Sequence, residues 1–270
     1  MKKFKIIPIF VPHSGCPHRC SFCNQKHITG QHTEMTAQAA RGIIEKYLKT
    51  IDSEKHNVEV AFYGGSFTAI GKEKQNELLD VALHYKKLGK IHGVRLSTRP
   101  DCIDDAIAEN LMQKGVTEIE LGVQSMKDDV LSKNKRGHTA EDVVKAVSLI
   151  RQYPFKLGLQ MMVGLIGDDE EKDIYTAKRI ACLAPDFVRI YPALVFKNTE
   201  MHNSFLKGEY MPLTVSQAVE TCAKLLSIFN EHNINVIRVG LLLDGDDAKN
   251  NFVAGPYHPR FGELVRNRCV

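Results

Sequence analysis

The sequence predicts an α/β fold built on a parallel β-sheet. Six short apolar stretches alternate with helical stretches before residue 196. Parallel strands are buried on both faces and need a crossover, usually a helix, before the next strand. The polar motifs follow the carboxyl ends of successive strands, which predicts one shared site at that edge of the sheet. On these grounds a six-stranded partial barrel and an open doubly wound sheet both fit.

The strands are recognised by short apolar runs that end at glycine, proline or polar turn residues. The first run ends directly before a cysteine-rich segment, and the second ends at Gly64. The predicted strands are 5–11, 57–63, 94–97, 117–123, 156–163 and 187–191.

The helices are recognised by apolar residues at helical spacing and by capping residues. Thr36 and Thr139 are predicted N-caps, and Glu141 complements the helix dipole in its first turn. The segment between the fourth strand and Arg136 is predicted to be a loop. The predicted helices end at about residues 49, 87, 114, 152 and 183.

The chain is predicted to divide into a barrel domain over 1–196 and a cap region over 197–270. The cap region contains a helix from Thr214 to about Asn230, a strand over 235–239 and a tail broken by glycine and proline. It therefore reads as a small α+β cap. An amphipathic segment begins near the last residues, which leaves open whether the cap is truncated.

Composition favours a soluble protein with a sizeable core. Of the 270 residues, 43% are hydrophobic, and the net charge of +4 is not concentrated in a long basic run. The sequence has neither a membrane-spanning apolar run nor a signal-peptide pattern, which predicts a cytoplasmic protein without membrane contact. Four of the 7 cysteines are scattered singly, as reduced thiols would be.

The chemistry is predicted to centre on Cys16, Cys20 and Cys23, which have the spacing C-x3-C-x2-C. Three thiolates in a short loop suit an iron–sulfur cluster and leave one iron of a 4Fe-4S cube open to a small molecule. A zinc site is the alternative, with His13, His18 or His27 as the fourth ligand. A disulfide framework would need an oxidising compartment.

This spacing, with the aromatic Phe22 before the last cysteine, resembles the radical S-adenosylmethionine (SAM) superfamily. The resemblance implies a 4Fe-4S cluster whose open iron binds SAM, and a partial (β/α)6 TIM-like barrel. It implies reductive cleavage of SAM to a 5′-deoxyadenosyl radical, with electrons from an external donor of the flavodoxin or ferredoxin type. Phe22 is expected near the adenine.

The turn after the second strand, Gly64-Gly65-Ser66, is a candidate SAM-binding segment. Glycines let main-chain groups approach a ligand closely, although a double glycine after a strand is commonly only a tight turn. The superfamily commonly has Gly-Gly-Glu here, so Ser66 departs from the pattern and weakens a side-chain role.

The motifs around Ser97, Gln124, Arg136 and Gln160 taken together resemble the bacterial branch related to the Elongator catalytic subunit, and more distantly the oxygen-independent coproporphyrinogen oxidases. By that resemblance, Gln124 and Arg136 bind the polar groups of SAM. Relatives often have carboxylates where this chain has Ser97 and Gln160, so ribose contacts do not carry over, although either side chain can form one hydrogen bond.

Three functions are weighed. The Elongator-like resemblance makes tRNA the first substrate candidate, and a porphyrin-like small molecule is the enzymatic alternative. The third is a non-catalytic zinc-binding module that contacts RNA. The acetyltransferase domain that follows in the Elongator subunit is not matched by these residues, so complete Elongator-type carboxymethylation is not expected from the resemblance.

Overall fold

The computed structural model describes residues 3–11, 16, 18–23, 34–243 and 246–268. It is an α/β protein with a seven-stranded sheet in the order β1-β2-β3-β4-β5-β6-β8, which confirms the predicted partial TIM-like barrel class. The sheet strands are β1 (Lys3–Val11), β2 (His56–Gly64), β3 (Gly93–Thr98), β4 (Glu118–Gln124), β5 (Lys156–Val163), β6 (Phe187–Pro192) and β8 (Asn235–Val239), and a separate pair is β7 (Val195–Phe196) and β9 (Phe252–Ala254).

The helices begin and end close to the predicted positions. The side chains of Thr36 and Thr214 accept hydrogen bonds from main-chain amides at their helix N-termini, and Thr214 forms a capping box with Gln217. The described helices are α1 (Ala37–Leu48), α2 (Lys72–Lys87), α3 (Asp105–Gln113), α4 (Asp128–Lys133), α5 (Ala140–Ile150), α6 (Glu170–Cys182), α7 (Glu200–Leu206), α8 (Val215–Glu231), α9 (Asp246–Asn251) and α10 (Phe261–Arg268).

The first compact unit comprises Met1–Pro17, Gln31–Leu121 and Ala146–Leu157. Within it β1 pairs with β2, β2 with β3 and β3 with the start of β4, all in parallel. Successive side chains of each strand point to opposite faces of the sheet. One face of the unit is filled by fully buried aliphatic and aromatic side chains. They include Val60, Phe62, Val94, Leu96, Ile119 and Leu121.

The opposite face of this unit contains a buried charge network around Arg95. Its guanidinium forms ion pairs with Glu59, with Glu118 at 2.7 Å and with Glu120 at 3.3 Å. The four side chains are at most 7% exposed. Burial raises the pKa of Glu118, and the charge of Glu59 adds to the effect. One cation therefore holds three buried carboxyl groups.

The second compact unit comprises His18–Gly30, Gly122–Lys145 and Gly158–Val270. Within it β5 pairs with β6, and β6 pairs with β8, again in parallel. Strand β8 was expected in the cap, yet it is the seventh strand of the sheet. The strand itself was predicted correctly, but its partner could not be, because pairing depends on tertiary contacts rather than on the local pattern.

Three short helices of the second unit were not predicted, namely α4, α7 and the 6-residue α9. Helix α4 has 6 residues and occupies the segment that the sequence analysis assigned to a loop, and α7 has 7 residues. Elements this short give too few turns for the 3.6-residue period to be recognised. The correction at α4 matters, because the residues that follow it contact the cysteine segment.

Among the described helices, none is both long enough and apolar enough to cross a membrane.

We expect Arg95→Met to lower the free energy of unfolding by about 3–5 kcal/mol near neutral pH, because it leaves three buried carboxyl groups without their cation. The folded protein raises the pKa of Glu118. The charge of Arg95 opposes this rise, so the variant should raise the pKa of Glu118 further. The folded variant would then bind protons more readily than the folded unmodified protein, and its deficit should shrink as the pH falls.

Urea unfolding at several pH values measures this, with Lys114→Met as the matched control. Lys114 pairs with Asp80 at 2.6 Å near the surface of the same unit. Loss of that pair should cost about 0–1 kcal/mol. Equal losses in both variants, or a deficit for Arg95→Met that does not change with pH, would contradict the account of the network.

Candidate functional site

Two of the three predicted cluster cysteines lie in one turn of the second unit. The amide of Cys23 donates to the carbonyl of Cys20 at 3.1 Å. Cys20 is 7% exposed and Cys23 is half-buried. Cys16 lies in the first unit, is half-buried and is also a thiol. The turn therefore brings the main chains of Cys20 and Cys23 close together.

Ser21 lies between these cysteines, and each of its polar groups forms a hydrogen bond. Its amide donates to the carbonyl of Asn134 at 3.0 Å, and its hydroxyl donates to Asn134 Oδ1 at 2.7 Å. Its carbonyl accepts from the amide of Met201 at 2.8 Å. Ser21 is fully buried. The main chain of the cysteine turn is thus anchored to the segment that follows α4.

That segment is a Schellman C-cap. The amide of Lys135 donates to the carbonyl of Ser132, and the amide of Arg136 donates to the carbonyl of Leu131. Lys135 has φ +52°, the left-handed conformation that such a cap requires. Asn134 and Arg136 flank this residue, so the cap geometry determines where both side chains point.

Arg136 contacts the sulfur of a predicted ligand. Its Nη1 donates to Cys20 Sγ at 3.3 Å, and its Nη2 donates to the carbonyl of Gly122 at 2.6 Å. The side chain is 6% exposed. This hydrogen bond places the positive charge of the guanidinium beside the sulfur of a predicted ligand. Arg136 is therefore placed to act on the cluster end of the site.

Gln124 ends β4 with two unusual properties. Its φ is +67°, which is uncommon outside glycine and costs of order 1 kcal/mol or more. Its Oε1 is buried and has no hydrogen-bond partner among the described residues. A buried polar atom without a partner is costly, and a bound ligand is one explanation for its retention. This amide oxygen fits a site that accepts a hydrogen bond from a bound group.

Phe22 packs at the edge of an apolar cluster in the same unit. Its neighbours there include Met201, Leu165 and the buried ring of Tyr210. Phe22 is itself half-buried, so part of the ring remains available to a ligand. Gln160, on β5, is also half-buried and lies opposite Arg189 in the register of β5 and β6.

Two neighbouring carboxyl groups, Asp168 and Asp173, follow β5 in the chain. Burial raises the pKa of Asp168 to about 6, and burial together with the adjacent Asp168 charge raises the pKa of Asp173 well above its usual value. Asp173 is 2% exposed. The loop between them and β5 contains Ile166, which contacts Asn134.

In the first unit, Gly64 is required by the backbone. It has φ +118°, and a Cβ there would lie 2.3 Å from the carbonyl oxygen of Val11. The amide of Gly65 donates to the same oxygen at 3.4 Å. This close approach explains Gly64 without a ligand, so that glycine by itself does not identify a cofactor site.

The two predicted serines, Ser66 and Ser97, differ in burial and in side-chain contacts. Ser66 is buried, and its hydroxyl contacts Thr98 Oγ1 at 2.8 Å and accepts from the amide of Arg99 at 3.2 Å. Its side chain is thus used within the protein, as the departure from Gly-Gly-Glu suggested. Ser97 is half-buried on the face of β3 that also carries Arg95.

The histidines proposed for a zinc site gain no support from the described residues. The ring of His18 lies against Gly137, where a Cβ would approach it to 2.1 Å. His13 and His27 lie outside the described residues. Within the described ranges, no three Cys, His, Asp or Glu side chains form a metal-ligand set, and this holds for Cys16, Cys20 and Cys23 as well.

Sequence reasoning missed Ser21 and Asn134. Ser21 lies between two ligand candidates, and the sequence analysis assigned it no role. Asn134 follows Lys133 and precedes a glycine by three positions, which is compatible with a helix C-terminus. Recognition of α4 would have drawn attention to it.

Comparisons with known proteins identify the family of this chain. Residues 10–180 match the radical SAM superfamily, and residues 185–270 match the radical SAM C-terminal domain. An uncharacterized protein of Methanocaldococcus jannaschii is 31% identical over 86% of this chain and 74% of its own length. A tRNA uridine(34) acetyltransferase of the same organism is 28% identical over 83% of this chain and 48% of its own length.

Among solved structures, Methanocaldococcus infernus Elp3 with an N-terminal deletion superposes with a TM-score of 0.76 at 24% identity, over 99% of this chain and 63% of that protein. The matched part of this chain spans about half the length of the tRNA uridine(34) acetyltransferase. The superfamily match covers more than half of the chain and includes all three predicted cluster cysteines and the strands that precede the polar motifs. The chain therefore belongs to the radical SAM superfamily of enzymes.

Proposed function

We propose that this enzyme binds a 4Fe-4S cluster through Cys16, Cys20 and Cys23 and reductively cleaves SAM to act on an RNA base in tRNA. The observation that carries the proposal is the contact between Arg136 and the sulfur of Cys20, which lies in the turn that also presents Cys23. When bound, the cluster and SAM supply a carbon-centred radical for hydrogen abstraction.

The described residues fit such a cofactor in their chemistry. Three thiols at C-x3-C-x2-C spacing suit iron ligation, and the guanidinium of Arg136 donates a hydrogen bond to the sulfur of Cys20. Phe22 keeps an exposed part of its ring at the end of this turn. The protein's part is to hold the thiolates, exclude water from the buried side and orient the bound groups.

The SAM-binding role is assigned to individual residues. Gln124 has a buried oxygen that would accept a hydrogen bond from SAM, and Arg136 carries a positive charge that suits a carboxylate. Ser97 and Gln160 would each supply one hydrogen bond. Gly64, Gly65 and Ser66 would contribute through main-chain groups, since the hydroxyl of Ser66 is already bonded within the protein.

The substrate assignment is supported by the relatives. The match to the tRNA uridine(34) acetyltransferase covers 83% of this chain. The net charge of +4 is compatible with an anionic partner. Electrons would come from an external donor of the flavodoxin or ferredoxin type. If tRNA is bound, its affinity should fall steeply with salt, because phosphate contacts release counterions.

We expect the anaerobically reconstituted protein to produce 5′-deoxyadenosine from SAM under reducing conditions, and Cys20→Ala to lose this activity. Removal of a ligand thiolate prevents assembly of the site-differentiated cluster. Product formation is measured by liquid chromatography, with and without unmodified tRNA. Addition of tRNA should raise the yield if RNA is the substrate.

Cys182→Ala is the matched control. Cys182 is an exposed thiol at the end of α6, away from the cysteine turn, and its loss should leave the yield unchanged. A colourless protein that contains zinc and makes no 5′-deoxyadenosine would refute the radical assignment. Activity that no RNA changes, in a protein that binds no RNA, would refute the substrate assignment.

We expect Gln124→Gly to be at least as stable as the unmodified protein but to bind SAM about tenfold more weakly. Glycine relieves the positive φ, whereas loss of the amide removes one hydrogen bond in a buried site. Equilibrium dialysis with labelled SAM and urea unfolding measure the two effects on the reconstituted protein.

Gln217→Ala provides the control. Gln217 belongs to the capping box of α8 and is exposed, so its loss should lower stability slightly without weakening SAM binding. If Gln124→Gly bound SAM normally, the buried oxygen would not be a SAM contact. A marked loss of stability in Gln124→Gly would show instead that the side chain is a structural element.

A further inference from the structure

The residue after α4 connects three separate segments of the second unit. Asn134 is completely buried. Its Nδ2 donates to the carbonyl of Val130 at 2.8 Å and to the carbonyl of Ile166 at 3.0 Å. Its Oδ1 accepts from Ser21 Oγ at 2.7 Å and from the amide of Ile166 at 3.3 Å. The two donors and two acceptor positions of the amide are therefore all used.

This bonding pattern restricts the residue type. Leucine has a similar volume but would remove the side-chain bonds to the Ser21 hydroxyl and to the amide and carbonyl of Ile166. The Val130 carbonyl and the Ser21 amide would keep their bonds to the main chain of residue 134. Aspartate would place a second acceptor against the carbonyl oxygens of Val130 and Ile166. A helix C-cap alone does not need this set of contacts, because its motif is completed by main-chain groups of Lys135 and Arg136.

We propose that Asn134 is a positioning residue that holds the Cys20–Cys23 turn in its metal-binding conformation. It acts through Ser21, whose amide and hydroxyl both bond to Asn134. The inference rests on the proposed function, because it assigns to this contact the retention of the cluster that Cys20 and Cys23 would ligate.

The same cap also contacts a ligand sulfur. Arg136, two residues after Asn134, donates to Cys20 Sγ at 3.3 Å. One short segment thus holds the main chain of the turn at Ser21 and the sulfur at Cys20. Chain that is ordered before the metal arrives does not lose that conformational freedom on binding, so the anchored turn should retain a cluster longer than an unanchored one.

The test is the rate at which reconstituted protein transfers iron to a ferrous chelator. Ser21→Ala removes one hydrogen bond to Asn134, and we expect release about three- to tenfold faster. Asn134→Leu should release iron at least as fast as Ser21→Ala. The double variant should release no faster than Asn134→Leu, because both changes remove the same Ser21–Asn134 contact.

Thr176→Val is the matched control. Thr176 is 1% exposed in the same unit, and its hydroxyl accepts from the amide of Met126 at 3.1 Å. Its loss should lower the stability of the apo-protein without changing iron release. The paramagnetic resonance spectrum of the reduced cluster is recorded for each variant, and it should change in Ser21→Ala and not in Thr176→Val.

The outcomes separate the two claims. If the unmodified protein retains iron and sulfide but Ser21→Ala and Asn134→Leu release iron no faster than Thr176→Val, the positioning role is overturned and the proposed function stands. If the unmodified protein assembles no cluster, the proposed function fails, and the inference falls with it. Should Asn134→Leu not fold, Ser21→Ala alone decides the question.

Discussion

The C-terminal cap of α4 is the constraint on which the candidate site depends. Its geometry follows from a left-handed Lys135, and it directs Asn134 toward Ser21 and Arg136 toward Cys20. A six-residue helix has little stability of its own. Its contacts with the cysteine turn and the loop after β5 therefore stabilise all three segments together. Loss of the cap would separate the sulfur contact from the main-chain contact.

Buried polar groups divide into structural and functional sets in this protein. The Arg95 network and the amide of Asn134 are bonded within the protein, as is expected of buried polar groups that specify a fold. Gln124 differs, because it combines a positive φ with a buried oxygen that lacks a partner among the described residues. Strain and an unmet hydrogen bond at one residue at the carboxyl end of a strand are typical of a ligand site.

The sequence predicted the fold class and most element boundaries, because each has a local signal, and the cysteine ligands remain a prediction. Strand β5 and helix α2 begin and end where predicted, and Thr36 is a cap. The partner of β8 was not predictable, since pairing is decided by tertiary contacts. Ser21 and Asn134 were missed for the same reason: they are 113 positions apart, and neither has a distinctive local pattern. The assignments of Gly64 and Ser66 to the cofactor remain predictions.

The central claim is that the cysteine segment holds a cluster with an iron open to SAM. The most direct test is electron paramagnetic resonance of the reduced, reconstituted protein before and after addition of SAM. The account predicts a signal from a reduced 4Fe-4S cluster whose spectrum changes when SAM is added, because SAM occupies the iron that lacks a cysteine ligand. A protein that gives no such signal and contains zinc, or a cluster signal that SAM leaves unchanged, would contradict it.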